Sequence, residues 1–139
     1  MKLVNILIVE DNAGDRELLR SFFSQGKFCN RIYYATNALQ ALQKLSFSRI
    51  DLILMDVQLP DMNGIELARK INEKRDKQIP IVCLSGIADM KILQQAEEAS
   101  VMAFIEKPLN FKLLQELMRK ICQLHLGLMW QGEEEKERR

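Results

Sequence analysis

The sequence has few of the features that mark specialised protein classes. Its three cysteines, Cys29, Cys83 and Cys122, are scattered and form no Cys-x-x-Cys pair, which argues against a disulfide framework and a zinc site. Charge is balanced, with 20 Lys and Arg against 19 Asp and Glu, so the basic excess typical of nucleic-acid-binding proteins is missing. These absences favour a reducing compartment and argue against a nucleic-acid partner.

Long apolar runs are also missing. No segment has the length needed to cross a bilayer, and the apolar opening, residues 1–9, ends at Glu10 and Asp11 without a small-residue cleavage site. We therefore predict a cytoplasmic protein with no membrane partner. A chain of 139 residues, 47% of them hydrophobic, suits one domain with one substantial core.

The most informative stretch is a predicted strand that ends at a carboxylate. Leu52 to Met55 is an unbroken apolar run of strand length, and Asp56 follows it directly. Pro60 then fixes its own φ, and Asn63-Gly64 is a pair tolerant of positive φ, which predicts a turn before the next helix. The stretch therefore places one acidic side chain at the mouth of a strand.

Apolar runs of this kind alternate with amphipathic segments along the chain. The predicted strands are residues 3–9, 31–35, 52–55, 80–84 and 101–105. Five helices are predicted. Two begin at Asp15 and Ile65, and three follow the cap residues Thr36, Asp89 and Asn110. Alternation with crossovers of helix length implies a parallel sheet with helices on both faces, and ligands then gather outside the carboxyl ends of the strands.

Reactive side chains follow four of these strands: Glu10, Asp11, Asp56, Ser85 and Lys107. Converging carboxylates repel one another unless a cation lies between them, and Mg²⁺ prefers such oxygen ligands. A carboxylate at a strand tip can also attack phosphorus and form an aspartyl phosphate. A lysine and a hydroxyl could then contact the transferred group, which predicts phosphoryl chemistry at this edge.

Four motifs, in this order and spacing, resemble a response-regulator receiver domain of two-component signalling. They are Ile-Leu-Ile-Val-Glu10-Asp11-Asn, Asp-Leu-Ile-Leu-Met-Asp56-Val-Gln-Leu-Pro60-Asp-Met-Asn-Gly64, Leu-Ser85-Gly and Ala-Phe104-Ile-Glu-Lys107-Pro108. The resemblance covers about Leu3 to Leu126. It implies a flavodoxin-like, doubly wound α/β fold, with a five-stranded parallel sheet of order 2-1-3-4-5 and five helices.

The resemblance also implies a domain over residues 1–127 and a polar tail over 128–139. Leu126, Leu128, Met129 and Trp130 would either extend the last helix or contact another chain, and the lone His125 is interpreted as structural. Too few residues follow Leu126 to form an output domain, so we expect a receiver of the stand-alone type.

A Mg²⁺ site is implied by the same resemblance. Asp11, Asp56 and the backbone carbonyl of Gln58 would hold the ion, and Glu10 would act through a water molecule.

The resemblance assigns the remaining roles to the phosphoryl group and its readout. Asp56 would accept the group from a histidine of a sensor kinase or phosphotransfer protein, and Lys107 and Ser85 would contact it. Phe104 matches the switch aromatic, whose ring turns inward when the Ser85 hydroxyl moves towards the phosphate.

We therefore expect a signalling switch rather than an enzyme, with chemistry limited to self-phosphorylation and slow autodephosphorylation. The fourth helix, fifth strand and fifth helix would contact an unidentified downstream protein or form a homodimer. Two alternatives stay open: a phosphorelay intermediate that passes the group to a second histidine, and a phosphate-independent interaction domain.

One enzyme class and one class of electron carrier with related architecture fit less well. A metal-dependent phosphatase with an aspartyl nucleophile needs a second acid two residues later, where Gln58 stands. A flavin electron carrier needs a Ser-, Thr- and Gly-rich loop after the first strand, where Glu10 and Asp11 would repel its phosphate.

Overall fold

The computed structural model describes residues 4–25, 29–73, 75–76 and 78–123. Strands and helices alternate along these residues: β1 (Val4–Val9), α1 (Ala13–Gln25), β2 (Cys29–Ala35), α2 (Ala38–Phe47), β3 (Leu52–Asp56), α3 (Gly64–Glu73), β4 (Ile81–Ser85), α4 (Met90–Glu98), β5 (Ala103–Glu106) and α5 (Phe111–Ile121). All neighbouring strands are parallel, in the order β2-β1-β3-β4-β5. The predicted fold and strand order are confirmed.

The central strands are apolar on both faces because helices cover both faces. Ile8 and Leu54 pack into one core with residues of α1 and α5, whereas Leu7 and Met55 pack into a second core with residues of α2 and α3. Every residue of β3 is buried, which explains why its sequence is an unbroken apolar run rather than an alternating one. This three-layer arrangement of helices, sheet and helices leaves the carboxyl ends of the strands uncovered, where a site can form.

Several predicted boundaries shift by a few residues. Strand β2 begins at Cys29 and β5 at Ala103, because pairing with the neighbouring strand, rather than the apolar pattern, sets where each begins. The cap of α2 is Asn37, whose side chain accepts from the backbone N–H of Gln40, and the predicted Thr36 cap is wrong. The hydroxyl of Thr36 instead donates to the side-chain oxygen of Gln40.

A glycine is required at position 64 because a side chain would not fit there, and not because of its φ angle. The pair Asn63-Gly64 tolerates positive φ, but neither residue adopts it; among the described non-glycine residues, Ser100 has a positive φ of 59°. A Cβ on Gly64 would lie 2.1 Å from the carbonyl oxygen of Asp56 and 2.9 Å from Cα of Val57. The start of α3 therefore approaches the end of β3 more closely than any other residue type allows.

Helix α4 buries little of its apolar surface. Ala96 is buried, but the side chains of Met90 and Leu93 are 83% and 39% exposed. Ile92 packs against the core but is only half-buried, so α4 is held to the sheet by less apolar area than α3 and is weakly anchored by comparison.

The buried side chain of Asn72 joins the end of α3 to the segment before β4. Its amide nitrogen donates to the carbonyl of Ile79 at 3.0 Å, and its oxygen accepts from the N–H of Ile79 at 2.9 Å. Replacement Asn72→Ala leaves both backbone groups without this partner, so we expect it to lower the free energy of unfolding by about 2 kcal/mol. Urea unfolding measures this loss, and Gln43→Ala, at an exposed amide on α2, is the control expected to change little.

Each helix among the described residues is too short or too polar to traverse a bilayer. Three features of the sequence prediction lie outside the described residues: the domain boundary after residue 127, His125 and the Leu126–Trp130 segment. The three cysteines are free thiols, and burial raises the pKa of Cys83 to about 12.

Candidate functional site

The parallel sheet brings the carboxyl ends of β1, β3, β4 and β5 to one edge. Glu10 directly follows β1, Asp56 is the last residue of β3, and Lys107 directly follows β5. The N–H of Lys107 donates to the carbonyl of Ser85, the last residue of β4, at 2.7 Å, and this bond closes the edge on the β5 side. Residues far apart in sequence thus meet because their strands end together.

Three carboxylates form the centre of the site. Glu10, Asp11 and Asp56 each offer an oxygen, and these oxygens all lie within 4.8 Å of one another. Glu10 and Asp56 are buried, whereas Asp11 is exposed, so the cluster opens to solvent on one side. Three acids at this spacing repel one another, and their chemistry suits a hard divalent cation.

The ammonium group of Lys107 lies against this cluster. Its Nζ is 2.6 Å from Oε1 of Glu10, 2.9 Å from Oδ2 of Asp15 and 3.5 Å from Oδ2 of Asp56. One cation therefore neutralises part of the charge of three acids, and it contacts the predicted phosphoacceptor less closely than it contacts the other two.

Burial and charge shift the protonation of this cluster in opposite directions. Burial raises the pKa of Glu10 to about 7, and the hydrogen bond from Lys107 opposes that rise. For Lys107, burial alone would lower the pKa, but hydrogen bonds to Glu10 and Asp15 raise it well above its usual range. The Lys107 ammonium is thus kept charged. Ionisation of the Glu10 carboxyl group beside it is unfavourable unless a further cation binds nearby.

The loop after β3 fixes the direction of the Asp56 side chain. Oδ1 of Asp56 accepts from the N–H of Gln58 at 3.0 Å, and a bridge pairs Gln58 with Asn63. The loop closes where the N–H of Gly64 donates to the carbonyl of Val57 at 2.7 Å. These bonds leave Oδ2 as the atom that faces Lys107, while the role of the Gln58 carbonyl as a metal ligand stays a prediction.

The two predicted switch residues, Ser85 and Phe104, lie on the neighbouring strands β4 and β5. The buried hydroxyl of Ser85 donates to the carbonyl of Ile87 at 2.7 Å and accepts from the N–H of the same residue at 3.0 Å. Phe104 is half-buried, pairs in register with Cys83 and packs against the core shared with α2 and α3. The roles of Ser85 and Phe104 in phosphoryl contact and switching stay predictions.

The sequence interpretation missed two residues on the first turn of α1. Asp15 pairs with Lys107, and the guanidinium of Arg16 donates to the backbone carbonyl of Glu10 at 2.9 Å. The two residues follow Asn12 by three and four positions, and the side chain of Asn12 accepts from the N–H of Asp15. This pattern marks them as residues of the first helical turn. Nothing in the sequence indicates that this turn faces Lys107, because that contact depends on how α1 packs on the sheet.

Comparison with known proteins gives a consistent result. Residues 6–119 match the family model of the response regulator receiver domain. The cyclic di-GMP phosphodiesterase response regulator RpfG of Xanthomonas campestris is 33% identical over 97% of this chain, which spans 35% of that protein. Sporulation initiation phosphotransferase F of Bacillus subtilis is 29% identical over 86% of this chain and 94% of its own length.

A solved structure with a metal gives the same fold. The Mn²⁺-bound form of response regulator Rcp1 superimposes with a TM-score of 0.71 at 26% identity, over 87% of this chain and 93% of that one. Because the family model covers most of the chain and the fold and acidic cluster agree with it, the chain belongs to the response regulator receiver domain family, the phosphorylation-dependent switches of two-component signalling.

Proposed function

We propose that this chain accepts a phosphoryl group on Asp56 from a phosphohistidine, with Mg²⁺ bound at the same edge of the sheet. The observation that carries the proposal is the position of the Asp56 carboxylate. It lies within 4.8 Å of oxygens of Glu10 and Asp11 and 3.5 Å from the Lys107 ammonium. A nucleophile beside both a cation site and a fixed cation suits attack on a negatively charged phosphoryl group.

Asp11 and Asp56 would hold Mg²⁺ directly, together with the carbonyl of Gln58, and Glu10 would contact it through water. Mg²⁺ uses few protein carboxylates and retains several waters, so one exposed and one buried acid meet its needs. When bound, the ion neutralises charge on the transferring phosphoryl group. The half-open cluster, with Asp11 towards solvent, leaves room for waters on the ion.

In the transfer step, a carboxylate oxygen of Asp56 forms a bond to phosphorus while the bond between phosphorus and the donor imidazole nitrogen breaks. The bonding electron pair stays on that nitrogen, so a phosphoimidazole that enters protonated on its other ring nitrogen leaves as neutral imidazole, and Asp56 becomes an acyl phosphate. Lys107 offers its ammonium to an equatorial phosphoryl oxygen, and Ser85 can offer its hydroxyl once it releases Ile87. We propose no reaction on other substrates beyond this transfer and slow hydrolysis.

The partners follow from the same chemistry. A histidine of a sensor kinase or phosphotransfer protein supplies the group, and the output is contact with another protein through α4, β5 and α5. The weak anchoring of α4 and the exposure of Met90, Leu93 and Leu113 support this surface as the element that phosphorylation shifts. A second copy of the chain could use the same surface.

A relay role is the second candidate. It is favoured by the similarity to a sporulation phosphotransferase over nearly its whole length. Incubation of the phosphorylated chain with histidine phosphotransfer domains distinguishes the two roles. Rapid movement of the label to a phosphotransfer histidine indicates a relay, and retention on Asp56 until hydrolysis indicates a terminal switch.

Acetyl phosphate with Mg²⁺ tests the proposed function directly. Intact-mass measurement is expected to show one added phosphoryl group, which requires Mg²⁺ and is lost on treatment with hydroxylamine, since hydroxylamine cleaves acyl phosphates. An unchanged mass under these conditions would favour a domain that interacts independently of phosphate.

The variant Lys107→Ala separates phosphoryl contact from metal binding. The ammonium repels a divalent ion and pairs with Glu10, so its removal is expected to leave Mg²⁺ affinity unchanged or higher. Labelling by acetyl phosphate is expected to slow by about tenfold or more, because the contact to the phosphoryl oxygens is lost. Isothermal titration measures the first quantity and intact-mass kinetics the second, and a loss of Mg²⁺ binding would contradict the assigned role.

A further inference from the structure

Asp15 is an acid that lies outside the cluster that could hold a metal. The described groups in that cluster are Glu10, Asp11 and Asp56, and Asp15 is not one of them. Asp15 instead forms an ion pair with Lys107 at 2.9 Å, and the two side chains are 24% and 17% exposed. Partial burial reduces the solvent screening that makes most surface ion pairs weak.

The position of Asp15 is fixed from its own backbone. Its N–H donates to Oδ1 of Asn12 at 2.9 Å, which places Asp15 in the first turn of α1. A carboxylate at this position interacts favourably with the helix dipole. The ion pair with Lys107 therefore links the start of α1 to the end of β5.

The ammonium of Lys107 is closer to Asp15 and Glu10 than to Asp56. Its distances to those carboxylates are 2.9 Å and 2.6 Å, against 3.5 Å to the phosphoacceptor. A phosphoryl group on Asp56 would attract the same ammonium as these two carboxylates and share its three N–H donors with them, so the position of Nζ would be set by competition among these groups. Glu10 belongs to the acidic cluster, so a bound cation would compete with Lys107 for its charge, whereas Asp15 lies outside that cluster.

We propose that Asp15 is a positioning residue that holds Lys107 in the unphosphorylated protein and competes with the phosphoryl group for its ammonium. This inference rests on the proposed function, because it assumes that Lys107 contacts a group on Asp56. Asp15 thereby sets how strongly the Lys107 ammonium is held away from a phosphoryl group on Asp56. It lowers the affinity of the site for a phosphoryl group without contacting that group.

Beryllofluoride, a mimic of the phosphoryl group, tests this role at saturating Mg²⁺. The substitution Asp15→Asn removes the charge and keeps the shape, and we expect it to tighten beryllofluoride binding by about fivefold. Mg²⁺ affinity is expected to fall by no more than about twofold, because Asp15 lies outside the acidic cluster. Glu17→Gln, which removes the same charge at a more exposed position of α1 paired with Arg20, is the matched control and is expected to bind like the wild type.

A double-substitution cycle distinguishes positioning from general charge or structural effects. In the Lys107→Ala background, the forms with Asp15 and with Asn at that position are expected to bind beryllofluoride equally weakly. Asp15→Asn binding that is unchanged or weaker, or a gain that persists without Lys107, would overturn the proposal. Absence of both labelling and beryllofluoride binding in the wild type would instead count against the phosphoacceptor assignment, and this role of Asp15 would fall with it.

Discussion

Asp56→Asn is expected to abolish acyl-phosphate formation and to leave the fold intact. The substitution replaces the nucleophilic oxygen pair with an amide, which is too weak a nucleophile to displace a nitrogen or acyl leaving group from phosphorus. The amide oxygen can still accept the hydrogen bond that the N–H of Gln58 donates to Asp56. We therefore expect labelling below detection in intact-mass measurements, with a thermal unfolding midpoint close to that of the wild type.

The matched control for this substitution is Asp61→Asn in the same loop. The carboxylate of Asp61 accepts from the N–H groups of Ala38 and Leu39 at the start of α2, and these hydrogen bonds hold its pKa below the usual range. Its role is therefore to cap a neighbouring helix, so this variant is expected to label like the wild type. Persistent labelling of Asp56→Asn at the same position in peptide mapping would refute the assignment of the phosphoacceptor.

A methyl group at position 64 is expected to damage both the fold and the site. The Cβ of Gly64→Ala would lie 2.1 Å from the carbonyl oxygen of Asp56, and neither this oxygen nor Cα of Val57 can move as a flexible side chain could. Relief of this overlap requires the start of α3 to separate from the end of β3. We expect a loss of about 3 kcal/mol in the free energy of unfolding, at the upper end of the range for overpacked sites.

Gly86→Ala provides the control, because a Cβ there meets nothing within 4 Å. Its free energy of unfolding is expected to stay within about 1 kcal/mol of the wild type. Urea unfolding of the two variants measures the difference, and equal stability would show that the close approach at Gly64 is not important. For the fraction of Gly64→Ala that folds, we expect slower labelling by acetyl phosphate, since the displaced backbone belongs to the phosphoacceptor itself.

The fold was largely predictable because each strand of a doubly wound sheet has a local signature. Central strands are buried on both faces, so Leu52 to Met55 forms an unbroken apolar run, and crossovers of helix length require parallel pairing. The order of the strands came from the family resemblance and not from periodicity. Boundaries were less predictable, since Asn37 rather than Thr36 caps α2 and pairing with β1 extends β2 to Cys29.

The charged residues of the site were predictable for the same reason. Glu10, Asp11, Asp56 and Lys107 each stand where an apolar run ends, and parallel strands bring such ends to one edge. Sequence alone did not indicate how the site is arranged within that edge. The bonds of the Ser85 hydroxyl to Ile87 depend on the path of a loop that has no periodic pattern.

The sequence by itself determined the class of fold, the edge of the sheet that carries the chemistry and the residue types gathered there, because these follow from local periodicity and from where each strand ends. Only the tertiary structure decided that Asp15 pairs with Lys107 and that Gly64 is needed for space rather than for its φ angle. Both depend on distances between elements, which are set by how the helices pack on the sheet and which no short stretch of sequence encodes.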